Sequence, residues 1–476
     1  MAPYRIAVQR GASMSNSREI RIISPVDGRT YASESYASPS DIQAAVERAT
    51  RSFNAWRKSP ISERSALVNA LAEALKQRKE ELAEAVAWQI GRPIALADET
   101  PRFAIVTEKH VEATKVLHQE AYNADPGIER FVRREAQGLH LSIAPWNYPV
   151  GLLPWLVVAP ILGGNVVILK HSDQTAVINR IVQEAYNSIR GPAGVLQTLN
   201  MTHKDTGTMI RSGKARGMNF IGSVRGGLEV HRMAAGTLTH VHLELGGKDP
   251  AYVRADAELA TAIPDIADGT FSNSGQSCCS VERIYVHQSV HDEFVERFIA
   301  ETETWTLGNP ITDNPELGPV AKKGAADYIR SQTAKAVSHG ATAFAPKQAT
   351  VFAKRDTCYV APMVLTGVNA AMSIMQEELF GPVACIQKVR NDEEAVALMN
   401  DSKYGLTASI WTRDTVSGVK LGDELETGTV FVNRCDHADL YLPWGGQKMS
   451  GMGRGNGREG LLRVTDTKSF HVRAGE

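Results

Sequence analysis

Leu139-His140-Leu141-Ser142-Ile143-Ala144-Pro145-Trp146-Asn147-Tyr148-Pro149 and, a little further on, Val166-Val167-Ile168-Leu169-Lys170-His171-Ser172-Asp173 share one design. Each is an apolar strand that runs directly into a polar or proline-flanked turn. Between them, Val150 to Leu169 carries no charge and matches the ~20 residues of a membrane span. Pro154, Pro160, Gly163 and Gly164 cut that run, which reads instead as a short buried helix, a turn and the buried strand Val166 to Leu169. The rhythm then repeats: a helix through Tyr186, a strand from Val195 to Leu199, a helix from Thr206 to Arg211, a strand from Met218 to Ile221, a helix to Ala235 and a strand from His240 to Leu245. Such βαβαβ alternation predicts an α/β fold on a mostly parallel sheet, with ligands at the C-terminal ends of the strands.

On the N-terminal side, Ser38-Pro39-Ser40-Asp41 is a helix start ahead of the helical spacing from Ile42 to Phe53. One long helix is expected from about Glu63 to Ile90, stopped by Gly91, and a third from about Pro101 to Ala121. Ile128 to Arg134 alternates and is charged, an exposed strand or ribbon in need of a partner. Met1 to Ile20 has arginines and serines but no apolar core, and is expected to be a loose arm, not a secretory signal. On the other side, a second α/β region is expected from Ile263 to about Val432. Thr465, Thr467, Ser469 and His471 are polar at alternate positions, as in a strand.

The 476 residues suffice for two or three domains with their own cores. With 43% hydrophobic and 22% charged residues the chain is an ordinary globular protein, and a net charge of −1 gives no reason to expect nucleic acid or an anionic membrane as partner. Five scattered cysteines make no disulfide framework, and no metal-ligand spacing is present, so no metal is expected. The cytoplasm is the expected compartment for free thiols.

Two motifs bear chemistry. Leu243-Glu244-Leu245-Gly246-Gly247-Lys248 sets a carboxylate among apolar residues, where its pKa rises and it can exchange protons near neutrality. Cys278 lies thirty-four residues after Glu244, in the loop Asn273-Ser274-Gly275-Gln276-Ser277-Cys278-Cys279, which offers two cysteines in a polar, glycine-containing setting. Either thiol is a small buried hydrophobe or a nucleophile, depending on its neighbours. Asn147, in its proline-flanked turn at a strand end, suits either a structural role or stabilisation of a developing oxyanion.

These three motifs together resemble the aldehyde dehydrogenase superfamily, and the resemblance runs over nearly the whole chain. The pattern Asn-x-Gly-Gln-x-Cys selects Cys278 as the nucleophile. The resemblance implies Glu244 as the base that activates the hydrolytic water, and Asn147 with the Cys278 backbone N–H as the oxyanion hole. It implies NAD-dependent oxidation of an aldehyde to a carboxylic acid through a Cys278 thioester. A cysteine hydrolase or a catalytically silent relative is the alternative class. The first lacks a clear histidine partner, and the intact Asn147, Glu244 and Cys278 set argues against the second.

For the cofactor, the resemblance implies Trp146, Lys170, Ser172, Asp173, Gly222, Ser223, Gly227, Leu245, Glu378 and Phe380. Asp173 stands where the family usually has glutamate and His171 where it has proline, and a carboxylate there favours NAD over NADP. Phe220 to Gly227 reads as strand, glycine turn and helix start, an anion-binding arrangement. Val224 and Arg225 are unusual for the family. Gly455-Asn456-Gly457-Arg458-Glu459-Gly460 spells a dinucleotide fingerprint but lies too close to the end of the sequence for a βαβ unit, so it reads as a glycine-rich loop. Tyr148, Leu152, Trp155, Ser277, Cys279 and Trp444 are implied to line the aldehyde tunnel, with Arg434, Asp436, His437 and Asp439 near its mouth. That lining suits an aromatic or medium-chain aliphatic aldehyde, with a carboxylate-bearing semialdehyde as the alternative. The implied domains are residues 1-118 with 138-245 for NAD, 246-445 for catalysis, and 119-137 with 463-476 as a ribbon. The ribbon would join copies into a homodimer or homotetramer.

Overall fold

The strand Leu139–Ala144 is the hinge of the first sheet. Val166–His171 and then Leu196–Thr198 lie on one side of it, and Gly217–Ile221 and then His240–Glu244 on the other, all parallel. The chain thus starts in the middle and winds outward both ways, which opens a crevice at the C-terminal strand ends. A short strand from the far end of the chain, Gly451–Met452, closes the sheet by pairing antiparallel with His240–Glu244. The computed structural model describes residues 18–354 and 356–473.

Asp249–Val253 starts the second sheet directly after Gly246, Gly247 and Lys248. Its order is Thr342–Phe344, Met363–Thr366, Val383–Val389, Val281–His287, Asp249–Val253, Thr407–Trp411 and Thr429–Val432, parallel except for the first pair. Helices cover both sheets, and no helix among the described residues is long and apolar enough to cross a membrane.

The expected helix start at Ser38 is present: Pro39–Trp56 begins with a reciprocal capping box between Ser38 and Asp41. The single helix expected from Glu63 to Ile90 is two, Ile61–Lys76 and Lys79–Ile90. Arg78 leaves helical geometry at the break, and its guanidinium reaches Glu81, Glu184 and the Ile181 carbonyl. Gly91 ends the second helix in the left-handed conformation, as expected. The third helix stops at Ala113, with a 3-10 turn at Thr114–Leu117, because Glu120–Asp125 is drawn into a strand against Ile128–Ala136. The short buried helix expected ahead of the Gly163-Gly164 turn is a π-helical turn, Pro154–Val158, followed by Ala159–Leu162, since Pro154 and Pro160 supply no N–H to a regular ladder.

The two unpartnered strands find each other. Thr465–Arg473 pairs antiparallel along the whole of Ile128–Ala136, with Phe131 stacked on Phe470 at 4.6 Å and Arg133 lying over both rings. At the N-terminal end, residues 1–17 of the expected arm lie outside the described residues. Glu19–Ile23 departs from that expectation: it pairs with Thr30–Ser35 and buries Ile20 and Ile22.

Replacing Ser38 by alanine removes the hydroxyl that accepts from the Asp41 N–H, leaving only the Ser38 backbone N–H on the Asp41 carboxylate, and should cost about 1 kcal/mol locally. Thermal unfolding should then start roughly 2 °C lower. An unchanged melting curve would show that the first helix is held by packing alone.

Candidate active site

A cavity of about 750 Å³ opens at the C-terminal ends of four strands of the first sheet. Trp146 and Asn147 enter it from the turn after Leu139–Ala144. Lys170, Ser172 and Asp173 enter at the end of Val166–His171, Gly222 and Ser223 after Gly217–Ile221, and Glu244 and Leu245 at the end of His240–Glu244. Cys278, Glu378 and Phe380 face it from the second half of the chain. Gly227 does not line the cavity; a Cβ there would lie 2.5 Å from Leu245, so its bareness lets the helix Val224–Ala234 settle on that residue. Arg225 and Gly226 stand at the wall instead, with His203 and Thr206 from the helix His203–Arg211, which the motif reading passed over.

The polar floor is internally braced. Lys170 Nζ donates to the His171 carbonyl at 3.0 Å and stands 3.5 Å from Asp173. Burial pushes the Lys170 ammonium pKa down, and Asp173 opposes that shift. Tyr36, which the sequence did not suggest, donates its hydroxyl to Asp173 at 2.7 Å. Ser223 caps the helix Val224–Ala234 by accepting from the Gly226 N–H, which leaves that helix start facing the cavity.

The cysteine loop is wound tightly. Asn273, Ser274 and Gly275 are successive left-handed residues between the helix Leu259–Phe271 and the strand Val281–His287. Asn273 pays for part of this strain by donating to the Asn147 carbonyl at 3.1 Å, and the Asn147 amide donates to the Gln276 carbonyl at 3.1 Å. The Gln276 side chain donates to the Asn273 carbonyl and accepts from the Ala321 N–H. Glu99 takes the Val150 and Gly151 N–H groups, anchoring the far end of the Asn147 turn, and Arg92 pairs with it at 3.1 Å. The Gly246-Gly247 pair passes so close that a Cβ on Gly247 would lie 2.5 Å from the Cys278 carbonyl oxygen.

Cys278 and Cys279 differ sharply. Cys278 is partly exposed and lines the cavity. Cys279 is buried and donates its S–H to Asp436 at 2.8 Å. The hydrogen bond with Cys278, burial and the Asp436 carboxylate together hold the Cys279 thiol well above the ordinary thiol range. Asp436 also accepts from Ser277 at 2.8 Å, and burial pushes its own carboxyl up to about 6 against those two donors. Asp436 therefore sits beside the cysteine loop, not at an outer rim.

Of the residues expected around the aldehyde, Leu152 alone lines the cavity. Ser277, Cys279, Trp155 and Trp444 are buried, and Trp155 and Trp444 face each other at 6.0 Å. Tyr148 lies under the Arg92 guanidinium. On the other flank, Glu378 accepts from the Gly247 N–H at 3.0 Å, and burial followed by Glu282 raises its carboxyl to about 8. Phe380, in a left-handed conformation, meets the Trp146 ring edge-on at 5.4 Å.

Glu244 is buried at the end of its strand. Burial pushes its carboxyl well above the usual carboxylate range, with Arg463 and Arg454 pulling the other way. A solvent-excluded carboxyl, a partly exposed thiol and an anchored asparagine amide on one cavity make a set suited to proton transfer, covalent attack and oxyanion stabilisation.

The model of the aldehyde dehydrogenase family matches residues 13–470. Succinate-semialdehyde dehydrogenase [NADP(+)] of Deinococcus radiodurans is 31% identical over 96% of this chain and 95% of its own. 2-Aminomuconic semialdehyde dehydrogenase of Mus musculus is 30% identical over 94% of each. The crystal structure of betaine aldehyde dehydrogenase from Staphylococcus aureus in complex with NAD+ superimposes with a TM-score of 0.90 at 26% identity, over 96% of this chain and 92% of that one. The chain belongs to the aldehyde dehydrogenase family and is an oxidoreductase of that family's α/β fold.

Limited alkylation with iodoacetamide, read by fragment mass spectrometry, should label Cys278 well before Cys279, because only a deprotonated, accessible sulfur reacts readily. Earlier labelling of Cys279 would contradict the division between the two sulfurs.

Proposed function

We propose that this protein oxidises an aldehyde to the carboxylic acid with NAD, using Cys278 as nucleophile, Asn147 for the oxyanion and Glu244 as base. The observation that carries the reading is the convergence of these three side chains, from two loops and a strand end, on one cavity. The cavity also fits a dinucleotide: its size, its place at a parallel switch point and the helix start after Ser223 suit a pyrophosphate flanked by two nucleosides. Trp146, Leu245, Glu378 and Phe380 would hold the nicotinamide half, and Lys170, Ser172, Asp173, Gly222 and Ser223 the adenosine and phosphates.

The Cys278 sulfur attacks the aldehyde carbon, and the Asn147 N–H not given to Gln276 and the Cys278 N–H receive the negative oxygen. NAD, when bound, supplies the acceptor for the hydride that the adduct loses in becoming a thioester on Cys278. Glu244 then takes a proton from water as the water attacks the thioester carbon. Collapse of that adduct expels the Cys278 thiolate and releases the acid.

Leu152 at the cavity wall, with its apolar neighbours Ile143 and Ile221, supports an aromatic or medium-chain aliphatic aldehyde. A carboxylate-bearing aldehyde is the second reading. Arg434 in the segment that carries Asp436 offers it a positive charge, and two of the similar proteins are semialdehyde dehydrogenases by name. The domain division stated above, a cytoplasmic location and a two-fold assembly through the ribbon complete the proposal. The ribbon's outer strands, Glu120–Asp125 and Thr465–Arg473, leave edges that a second copy could cover.

Glu244→Gln should keep the first burst of reduced cofactor in stopped flow while steady turnover falls by about 100-fold or more, the scale of general-base catalysis. No burst, or full turnover, would contradict the assignment. A panel of aldehydes compared by kcat/KM separates the two substrate readings.

Asp173 should make NAD the better cofactor, and Asp173→Ala should move the kcat/KM ratio towards NADP. An unmoved ratio would show that Tyr36 and Lys170 keep the carboxylate away from the ribose.

Light scattering should return a multiple of the 51.8 kDa chain mass, and a single-chain mass at micromolar concentration would contradict the ribbon interface.

A further inference from the structure

Behind Glu244, away from the motifs that resemble the family, lies a buried polar file. His242 is two residues earlier on the same strand, so its ring projects from the same face as the Glu244 carboxyl. His242 Nε2 stands 2.8 Å from Glu244 Oε1, and both side chains are almost fully buried. Among the described residues, neither ring nitrogen of His242 and neither oxygen of Glu244 has a hydrogen bond of good geometry, to each other or to any other group. Two adjacent polar groups left unpaired in a low-dielectric site are costly, and a small turn of the ring or the carboxyl brings the 2.8 Å contact into line as a hydrogen bond.

The surroundings are shaped for that ring. A Cβ on Gly453 would lie 2.7 Å from His242 Cδ2 and one on Gly455 3.4 Å from His242 Cε1, so the glycine-rich loop leaves room for an imidazole at this position. The charged groups acting on the pair are Arg463, from the helix Gly457–Arg463, and Arg454, from that loop. Arg463 is tied to the Asn219 side chain and to the Arg454 carbonyl. Beyond it stand His140 and His110, which burial holds at about 3 and about 4, so neither adds charge near neutrality. Burial, Arg463 and Arg454 likewise keep His242 neutral.

We propose that His242 is a positioning residue for the base: as the Nε2–H tautomer it donates to Glu244 Oε1 and holds the carboxylate ready for the attacking water. The proposal rests on Glu244 being the base of deacylation. When Glu244 takes the water's proton, its oxygen facing His242 keeps the imidazole hydrogen bond, so His242 need not change charge during turnover. Without that donor the carboxylate loses one hydrogen bond in a buried site and swings freely. Protonation is then favoured and the acid limb of the rate profile moves to higher pH.

The test uses the full-length protein saturated with NAD and a turned-over aldehyde, with burst amplitude and steady kcat followed against pH. His242→Leu should keep the burst but lower the plateau kcat by about tenfold, the scale of one hydrogen bond to a charged group. Its acid limb should lie about one pH unit higher. His242→Gln, which restores an N–H at similar reach but cannot titrate, should return both towards the wild type. If His242→Leu does not fold, His242→Thr, too short to reach the carboxylate, takes its place. An unmoved limb with unchanged kcat, loss of the burst, or no difference between the glutamine and threonine variants would overturn the proposal. A wild type with no burst and no turnover would instead overturn the proposed reaction itself.

Discussion

The Glu282 carboxylate is the contact on which the site's geometry depends. It meets the buried Lys248 ammonium at 2.5 Å and accepts the backbone N–H groups of Leu379 and Phe380 at 2.8–3.1 Å. Lys248 directly follows the glycine pair after Glu244, Glu282 lies four residues after Cys278, and Phe380 sits on the opposite wall. One side chain thus pins the end of the first sheet, the cysteine loop and the Glu378-Phe380 segment to a common point. The next residue adds to it, since Arg283 Nε donates to the Lys248 carbonyl at 2.8 Å. A buried ion pair of this kind contributes little net stability against an apolar replacement, yet breaking one side leaves an uncompensated charge worth about 3–5 kcal/mol. Its value here is in geometry: it lets Phe380 hold a left-handed backbone while facing Trp146.

Around that frame, four acidic groups and two thiols share one region without sharing one chemistry. Burial raises Glu244 far and Glu378 to about 8, while Asp436, bonded to Ser277 and Cys279, rises to about 6. Glu282 is spent on a lysine and two amides. Cys279 is locked as a thiol by its hydrogen bonds and burial, and Cys278 faces the open cavity. Environment, not residue type, separates a group that can take a proton from those that hold structure.

The strand-and-turn units around Asn147, Lys170 and Glu244 were legible because each is a short apolar run ending in a distinctive turn. The Ser38 cap and the Gly91 stop were legible for the same local reason. The break at Arg78 was not, because no glycine or proline marks it and its reasons are Glu184 and Ile181, about a hundred residues away. The early end of the third helix was hidden likewise, since pairing with Ile128–Ala136 overrides helical spacing. Within the site, the family motifs led to Cys278, Glu244 and Asn147 but could not show Tyr36 on Asp173, Glu99 beneath the Asn147 turn or His242 against Glu244. Those contacts join segments that share no spacing. Gly227 belongs to the glycine turn pattern in the sequence, and only the packing of Leu245 shows that its neighbour Gly226 is the one at the cavity wall.

The central claim is that Cys278 carries the substrate as a thioester that Glu244 releases. Intact-protein mass spectrometry of Glu244→Gln, quenched in acid after mixing with NAD and an aldehyde, addresses it directly. The account predicts a mass gain equal to the acyl group of the chosen aldehyde, located on Cys278 by fragmentation and absent when NAD is left out. No adduct, or an adduct on Cys279, would contradict it.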